Sequence, residues 1–583
     1  MKLPLSVFLS VFVLYLVGAA EPYIGYLYPA GAEAGKSIQL LVGGQNLGGI
    51  RSGIVSGDGV TVRKVTAVPG FPTPDGTQRK YLKQWIRNIE ANSPEKPPLP
   101  ARTDAWRKNI WWEKLDRLDR MSLNLVIRDL YIKRNALQAT PSIKQLLIVE
   151  LEVSPNAQPG IRELRLWGRQ GISAPKLFFV DTAPHIREPE FVPPEKPQPE
   201  TPLVTAFPTI LDGQIMPGET DRFRLKLEAD KPYTMTLTGR KFQPFIGDAV
   251  PGHFQPVLRL LNPVGKEVAF ADDDYFNPDP VLRFQASESG EYMLEVRDNL
   301  YRGREDFVYR VQIIPEWRPY QFGQEPFPAL PRVKTGETIN ITKPQVISGT
   351  LNPRETANFT FSGRKGQKLV CEVAARRCGS PLDGVIRLIG PNGNWIAEAD
   401  DSPSELNIGE CLQQFDPYLA LTLPADGTYT LKLWDRLGAG GKDYRYWLRL
   451  GPLCPDFQIY TSRSVLNIRP GETGKLKLYV VRSDGFDEKI TLTAAGASML
   501  KAEEIPPGTE ELTVMLKNPF RKAEPPQTIQ LYTEAVVNGL PVRKQVTACD
   551  EFIQAFAYTH LLPAKELLLG SPRSAPKRKM EKR

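Results

Sequence analysis

Apolar and polar positions alternate along most of the chain. Ser37–Leu47 (SIQLLVGGQNL), Leu146–Val153 (LLIVELEV), Arg162–Gly168 (RELRLWG) and Lys176–Val180 (KLFFV) read as strands separated by Gly, Asn and Pro. Period two is clearest at Tyr292, Leu294 and Val296, as a half-buried antiparallel strand requires. One region breaks the pattern. Between residues 77 and 138, Leu82, Trp85, Ile86 and Ile89 recur at helical spacing, as do Trp106, Ile110 and Leu118. The first module is therefore predicted to be an Ig-like β-sandwich over 21–182 with a helical insertion at 77–138.

The chain then repeats itself. Gly213–Leu225, GQIMPGETDRFRL, returns as GTLNPRETANFTF at Gly349–Phe361. PVLRLLNPVGKEVAFADDD (256–274) is echoed by GVIRLIGPNGNWIAEADD (384–401), and DPVLRFQASESGEYMLEVRD (279–298) by DPYLALTLPADGTYTLKLWD (416–435). Two duplicated sandwiches follow, at 204–315 and 344–451; a tandem of two is not a solenoid. Residues 183–203 are Pro-rich and charged, which marks a linker, and 316–343 form a second one. KLKLYVVRSDGFDEKITLTAAG announces a further Ig-like module over 452–550, followed by a C-terminal segment, 551–583, whose basic end is expected to be disordered. The predicted fold class is all-β and multi-domain. At 583 residues the chain is too long for one core, and its 54 Pro and 46 Gly suit many short strands joined by turns.

The first twenty residues, MKLPLSVFLSVFVLYLVGAA, place one Lys before an apolar run that ends in small residues. That is the pattern of an export signal cut near Ala20–Glu21, favoured over an uncleaved anchor because the apolar core is short. No Cys follows the cut and no later apolar run is long enough to span a membrane, so a secreted, periplasmic or cell-surface protein is expected. The formal charge of +8 does not indicate nucleic acid, because it is concentrated in two places. Residues 77–134 carry 14 Lys and Arg against 7 Asp and Glu, and the tail 571–583 carries six basic residues against one acidic. The β-rich body is mildly acidic.

Candidate chemistry is sparse. His185, His253 and His560 lie far apart, and the chain has no HExxH, GxSxG or phosphate-binding Gly loop, so no catalytic residue is assigned and no enzyme is expected. The acidic turns Asp272, Asp273, Asp274 with Asp279, and Asp400 with Asp401, can supply hard oxygen ligands to a structural Ca²⁺; solvated turn carboxylates are the competing reading. Tyr301, Arg302 and Arg304 could grip a sugar or acidic peptide, or Arg302 and Arg304 could pair with Glu305 and Asp306 to fix a hairpin. Trp85, Trp106, Trp111 and Trp112 stand among basic residues of the insertion, as a surface for an anionic ligand or as amphipathic helices packed on the sandwich. No cysteine pair has CxxC spacing; the expected bridges are Cys378–Cys411 and Cys454–Cys549, leaving Cys371 as a buried thiol.

Several long motifs carry a family resemblance: DGQIMPGETDRFRL, IGDAVPGHFQPVLRL, ADDDYFNPDPVL and YRGREDFVYRVQI in the first copy, SPNAQPGIRELRLWGRQGIS before it and FAYTHLLPA after the last module. The repeats resemble bacterial pre-peptidase C-terminal (PPC) domains, jelly-roll β-sandwiches of secreted bacterial proteins, in a planctomycete-like branch. The resemblance implies domains that accompany exported enzymes and surface proteins without being catalytic themselves. The expected function is thus a non-catalytic binding or structural role at or near the cell surface, with extracellular protein or polysaccharide as ligand. The alternative is an accessory or targeting subunit of a secreted peptidase or other hydrolase.

Overall fold

The computed structural model describes residues 21–68, 76–93, 97, 115–118, 120–131, 145–193, 195–244, 252–320, 322–333, 338–403, 406–409, 415–495, 499–554 and 558–573. The export segment, Trp106, Trp111, Trp112, Cys411 and the basic end of the tail lie outside these residues.

The expected all-β, multi-domain architecture is the one found. In the first module, the strands Tyr23–Tyr28, Ser37–Gln45, Gln145–Val153 and Val60–Val68 form one sheet, in that order. Gly31–Glu33, Lys176–Asp181, Gly160–Gly168 and Ile50–Val55 form the other. Leu40, Val42, Val149, Leu164, Leu166 and Phe178 fill the space between them. The insertion leaves after Val68 and returns at Gln145, and its helices Gly76–Glu90 and Arg120–Tyr131 build a small core of their own from Tyr81, Leu82, Trp85, Ile86, Val126 and Leu130.

The two repeats share one strand order. In the first, Thr209–Gln214, Val308–Ile314, Pro232–Thr238 and Val281–Gln285 face Asp221–Leu227, Gly290–Asp298, Pro256–Leu261 and Glu267–Ala271. In the second, Gln345–Thr350, Arg445–Gly451, Lys368–Ala374 and Tyr418–Thr422 face Thr356–Gly363, Gly427–Asp435, Gly384–Ile389 and Trp395–Ala399. The similar sequences encode matching local devices. Glu219 and Glu355 each accept the backbone N–H three residues before, from Met216 and Asn352, both at 2.8 Å. A Cβ at Gly213 or Gly349 would lie 2.2 or 2.3 Å from the hydroxyl of Tyr309 or Tyr446, so both openings require glycine. Tyr292 and Tyr429 donate to the carbonyls four residues earlier, Glu288 and Ala425.

The first Pro-rich linker departs from expectation. Its ends are edge strands: His185–Arg187 pairs in parallel with Ile210–Asp212, and Leu203–Val204 with Arg224–Leu225. Pairing covers the repeat's sheet edges, which would otherwise expose unpaired backbone groups. The last module likewise extends past 550, because Leu567–Gly570 pairs with both Val465–Asn467 and Gln527–Ile529.

The chain closes on itself. The last module returns to the first through Arg165, which is buried and donates to the Ser464 carbonyl and hydroxyl and to the Glu566 carbonyl. Asn467 both accepts from the Ile172 N–H at 2.8 Å and donates to its carbonyl at 2.9 Å. The four modules thus form a ring in which each touches the next and the fourth touches the first.

Candidate functional site

The acidic turn of the first repeat lines a cavity between the repeats. Asp274 and Asn277 exchange backbone hydrogen bonds of 2.9 and 3.2 Å, leaving Tyr275 and Phe276 at the tip of a two-residue turn. Tyr275 holds φ +63°, an outlier for a bulky side chain. Contacts with the linker and second repeat hold it there. Its ring meets Tyr320 edge-on at 4.8 Å and Tyr444 at 6.3 Å, and its hydroxyl donates to Asp443 Oδ2 at 3.1 Å. Phe276 lies beneath the guanidinium of Arg376, 4.2 Å away.

The resulting cavity, about 300 Å³, is lined by Asp273, Asp274, Tyr275, Arg283, Trp317, Pro319, Tyr320, Lys442 and Asp443. Arg283 holds Asp274 with two bonds of 3.0 and 3.2 Å and donates to the Arg318 carbonyl at 2.8 Å. Thr234 accepts the Arg318 N–H and donates to the Glu316 carbonyl, so backbone on both sides of Trp317 is pinned to the first repeat. Trp317 is 48% exposed. Asp443 Oδ1 is buried and has no hydrogen-bond partner among the described residues. Burial pushes the Tyr275 hydroxyl up to about 12, reinforced by its bond to Asp443. Burial, with the charges of Asp272 and Asp274 next, raises the Asp273 carboxyl.

Three of the carboxylates expected to bind calcium, Asp274, Asp279 and Asp400, are engaged by protein groups. Asp279 is buried and accepts the N–H groups of Gly239, Arg240 and Lys241 at 2.6–3.1 Å, which caps a helical turn. Asp416 does the same for Ala375, Arg376 and Arg377 in the second copy. Asp274 is taken by Arg283, and Asp400 pairs with Arg436 at 3.0 Å. Asp272 and Asp401 join no carboxylate group of metal-binding geometry among the described residues.

In the YRGRED segment both arginines are engaged within the first repeat. Arg302 pairs with the fully buried Asp298 at 3.0 Å and Arg304 with Asp306 at 2.5 Å. Tyr301 stays 58% exposed with Arg297 over its ring at 4.5 Å. Trp85 is buried in the helical core, so its ring offers no ligand surface. The basic residues around it tie the insertion together: Arg79 donates to the Leu130 carbonyl, Lys83 sits over Tyr131 at 3.6 Å, and Arg87 lies 3.6 Å from Glu195. Cys454 and Cys549 are free thiols, which corrects the expected bridge. Cys549 is fully buried in a cluster with Tyr479 and Leu561, and burial raises its thiol to about 12. Cys371 is a buried thiol, as expected.

A second cluster sits where the first module meets the first repeat. Glu188, Glu219 and Asp221 bring carboxylate oxygens within 4.8 Å of one another. Each already accepts a hydrogen bond: Glu188 from Tyr28, Asp221 from Tyr309 and Glu219 from the Met216 N–H. Burial, then mutual repulsion, raises Glu188 well above the carboxylate range and Glu219 to about 7, while burial takes Asp221 to about 6. This arrangement suits a shared proton. Sequence reasoning missed it because the members come from the linker and the PGETD turn, and only folding brings Tyr28 to them. The pocket's aromatics were missed because Trp317 and Tyr320 lie in a segment read only as a linker.

No protein family model matches the chain, and no curated protein matches it. Among solved structures it is similar to fibronectin(III)-like modules of CbhA from Clostridium thermocellum, with 12% identity over 32% of this chain and 93% of that one, at a TM-score of 0.11. A putative secreted protein from Eubacterium rectale shows 7% identity over 42% and 74%, at 0.12. The ICAM-5 D1–D4 ectodomain fragment shows 10% over 90% and 98%, at 0.11. The sandwich architecture stands on the sheet pairing given above. Among the described residues no helix is long and apolar enough to cross a membrane.

Proposed function

We propose that this is an exported, non-catalytic binding protein acting at or near the cell surface, whose ligand is extracellular polysaccharide or protein held between the two repeats. The observation that carries the reading is the meeting of a half-exposed Trp317 and the Asp443 carboxylate in the lining of one cavity, with Asp443 Oδ1 lacking a hydrogen-bond partner among the described residues. Pockets with aromatic walls and a few placed polar groups are the usual form of ligand sites. The export segment and the absence of catalytic motifs in the sequence support it. So does the state of the histidines: His185 is engaged by Asp181 and Asp212, burial lowers His253 to about 3, and His560 contacts Gln554. None of these three lines the pocket.

The resemblance of the repeats to PPC domains favours a second reading, an accessory or targeting subunit of a secreted hydrolase. One experiment separates them. The purified full chain is passed over insoluble cell-surface polysaccharide and, separately, used to recover partners from secreted protein. Glycan retention supports the first reading and recovery of a hydrolase the second; hydrolytic turnover by the purified chain overturns both.

A further inference from the structure

We infer that the pocket between the repeats takes one neutral sugar ring, stacked on Trp317, with its hydroxyls donating to Asp443 and Asp273. The inference rests on the binding role proposed above and names the ligand class of that same pocket.

Size comes first. At about 30 Å³ per water, a cavity of about 300 Å³ has the volume of about ten waters, which accommodates one sugar ring. The wall comes next. Other tryptophans of the repeats have ring partners: Trp447 stacks on Phe322 at 4.1 Å, and Arg387 covers Trp395 and Trp434. Trp317 has no aromatic or cationic ring partner among the described residues, yet its backbone is pinned on both sides. With the backbone on both sides already fixed and the ring half exposed, less chain freedom is lost when a flat apolar surface covers the indole. The face of a pyranose, lined with C–H groups, is such a surface.

The polar groups then choose the ligand. Arg283 is spent on Asp274 and the Arg318 carbonyl, which leaves the exposed Lys442 ammonium as the remaining cation of the lining. The rest of the polar lining is acidic, with the Asp443 and Asp273 carboxylates as its acceptors. A buried acceptor without a donor costs free energy until a ligand supplies one. Hydroxyl groups do so without bringing negative charge against Asp273, Asp274 and Asp443, whereas a sugar acid or phosphate would be repelled. A peptide backbone would bring as many carbonyls as N–H groups, and the carbonyls would find few donors here.

The left-handed Tyr275 fits this role. A bulky non-glycine residue in that conformation is strained, and such strain clusters at ligand sites. Here it places the Tyr275 hydroxyl on Asp443 Oδ2, which fixes that carboxylate in the wall of the pocket.

The test uses the full chain and saturation-transfer NMR with the methyl glycosides of glucose, galactose, mannose, N-acetylglucosamine and xylose, with glucuronate as the anionic probe. At least one neutral glycoside is expected to receive transfer at its ring protons. Trp317→Ala should abolish the signal, Asp443→Asn should weaken binding at least tenfold, and Trp395→Ala should leave it unchanged. Trp317 is half exposed, so its variant keeps the unfolding midpoint of the parent, which is checked by calorimetry. Silence from all five glycosides, transfer that survives Trp317→Ala, or tighter binding of glucuronate each overturns the inference. If the glycosides are silent but an extracellular protein is retained and lost with Trp317→Ala, the pocket is a binding site for polypeptide and only the sugar assignment falls.

Discussion

Arg449 of the second repeat and Asp484 of the last module form a buried two-bonded ion pair, at 2.5 and 3.0 Å. Asp484 also accepts from the Tyr418 hydroxyl at 2.9 Å and the Cys454 N–H at 2.7 Å, while Arg449 reaches back to Glu372 at 2.6 Å. Every oxygen of the pair is satisfied, which is what makes a buried pair tolerable. Asp484→Ala leaves Arg449 facing Glu372 alone, and a loss of about 3–5 kcal/mol is expected. Denaturant unfolding followed by tryptophan fluorescence checks it. Burial pushes the Asp484 carboxyl up, but its bonds to Arg449 outweigh this and hold it below the usual range. Its contribution is therefore present above the ordinary aspartate pKa and is lost as pH falls through the lower folded value.

The opposite pH response belongs to the junction of the first module and first repeat. Glu219 at about 7 and Asp221 at about 6 bind protons more tightly folded than unfolded. Their protonated forms favour the folded junction below the ordinary carboxylate pKa, and that stability is lost as pH rises through 6 to 7. His185, which faces Asp181 and Asp212, is pulled down by burial but raised to about 9 by those two bonds. Its contribution is complete below about 6.5 and is lost as pH rises through 9. Tyr28, Arg128, Arg187, Arg222, Tyr309 and Arg310 also face this cluster. Hydrogen exchange of Thr209–Gln214 should accelerate steadily from pH 5 to pH 9, after correction for intrinsic rates, and a Glu219→Gln variant should show a shallower dependence.

The equivalent buried caps Asp279 and Asp416 should behave alike. Each accepts three backbone N–H groups, and replacement by Ala leaves buried donors without partners at about 1–3 kcal/mol. Three backbone N–H groups already occupy each of these carboxylates, so calorimetric traces with calcium and with chelator are expected to overlay. A transition raised by calcium would contradict this.

The ring closure gives a separate expectation. Arg165 is buried against Ser464 and Glu566, so Arg165→Ala should loosen the last module from the first while leaving both folded. Small-angle scattering should show a larger radius of gyration, with little change in far-ultraviolet circular dichroism.

Alternation and the repeat made the sandwiches legible, because both are written within single strands. The duplicated Gly213 and Gly349, Glu219 and Glu355, and Tyr292 and Tyr429 carry the same local geometry into each copy, so comparing two stretches of sequence was enough. The contacts between modules were not legible. Arg165 and Ser464, or Tyr275 and Asp443, are far apart in sequence and belong to different cores, and no periodicity links them. Among the aspartates read as calcium ligands, the roles of Asp279 and Asp274 were not legible either: a carboxylate can answer backbone N–H groups or arginine as well as a cation, and the pattern of residues does not distinguish them. The tryptophan in the pocket was hidden by its Pro-rich surroundings, which read as linker although Thr234 and Arg283 hold them in place.

The most direct test of the account compares the full chain with its Trp317→Ala variant on insoluble surface material from the producing cells, in one co-sedimentation experiment. The parent chain is expected to sediment and the variant to stay in solution, with equal unfolding midpoints. Equal sedimentation of both, or of neither, would contradict it.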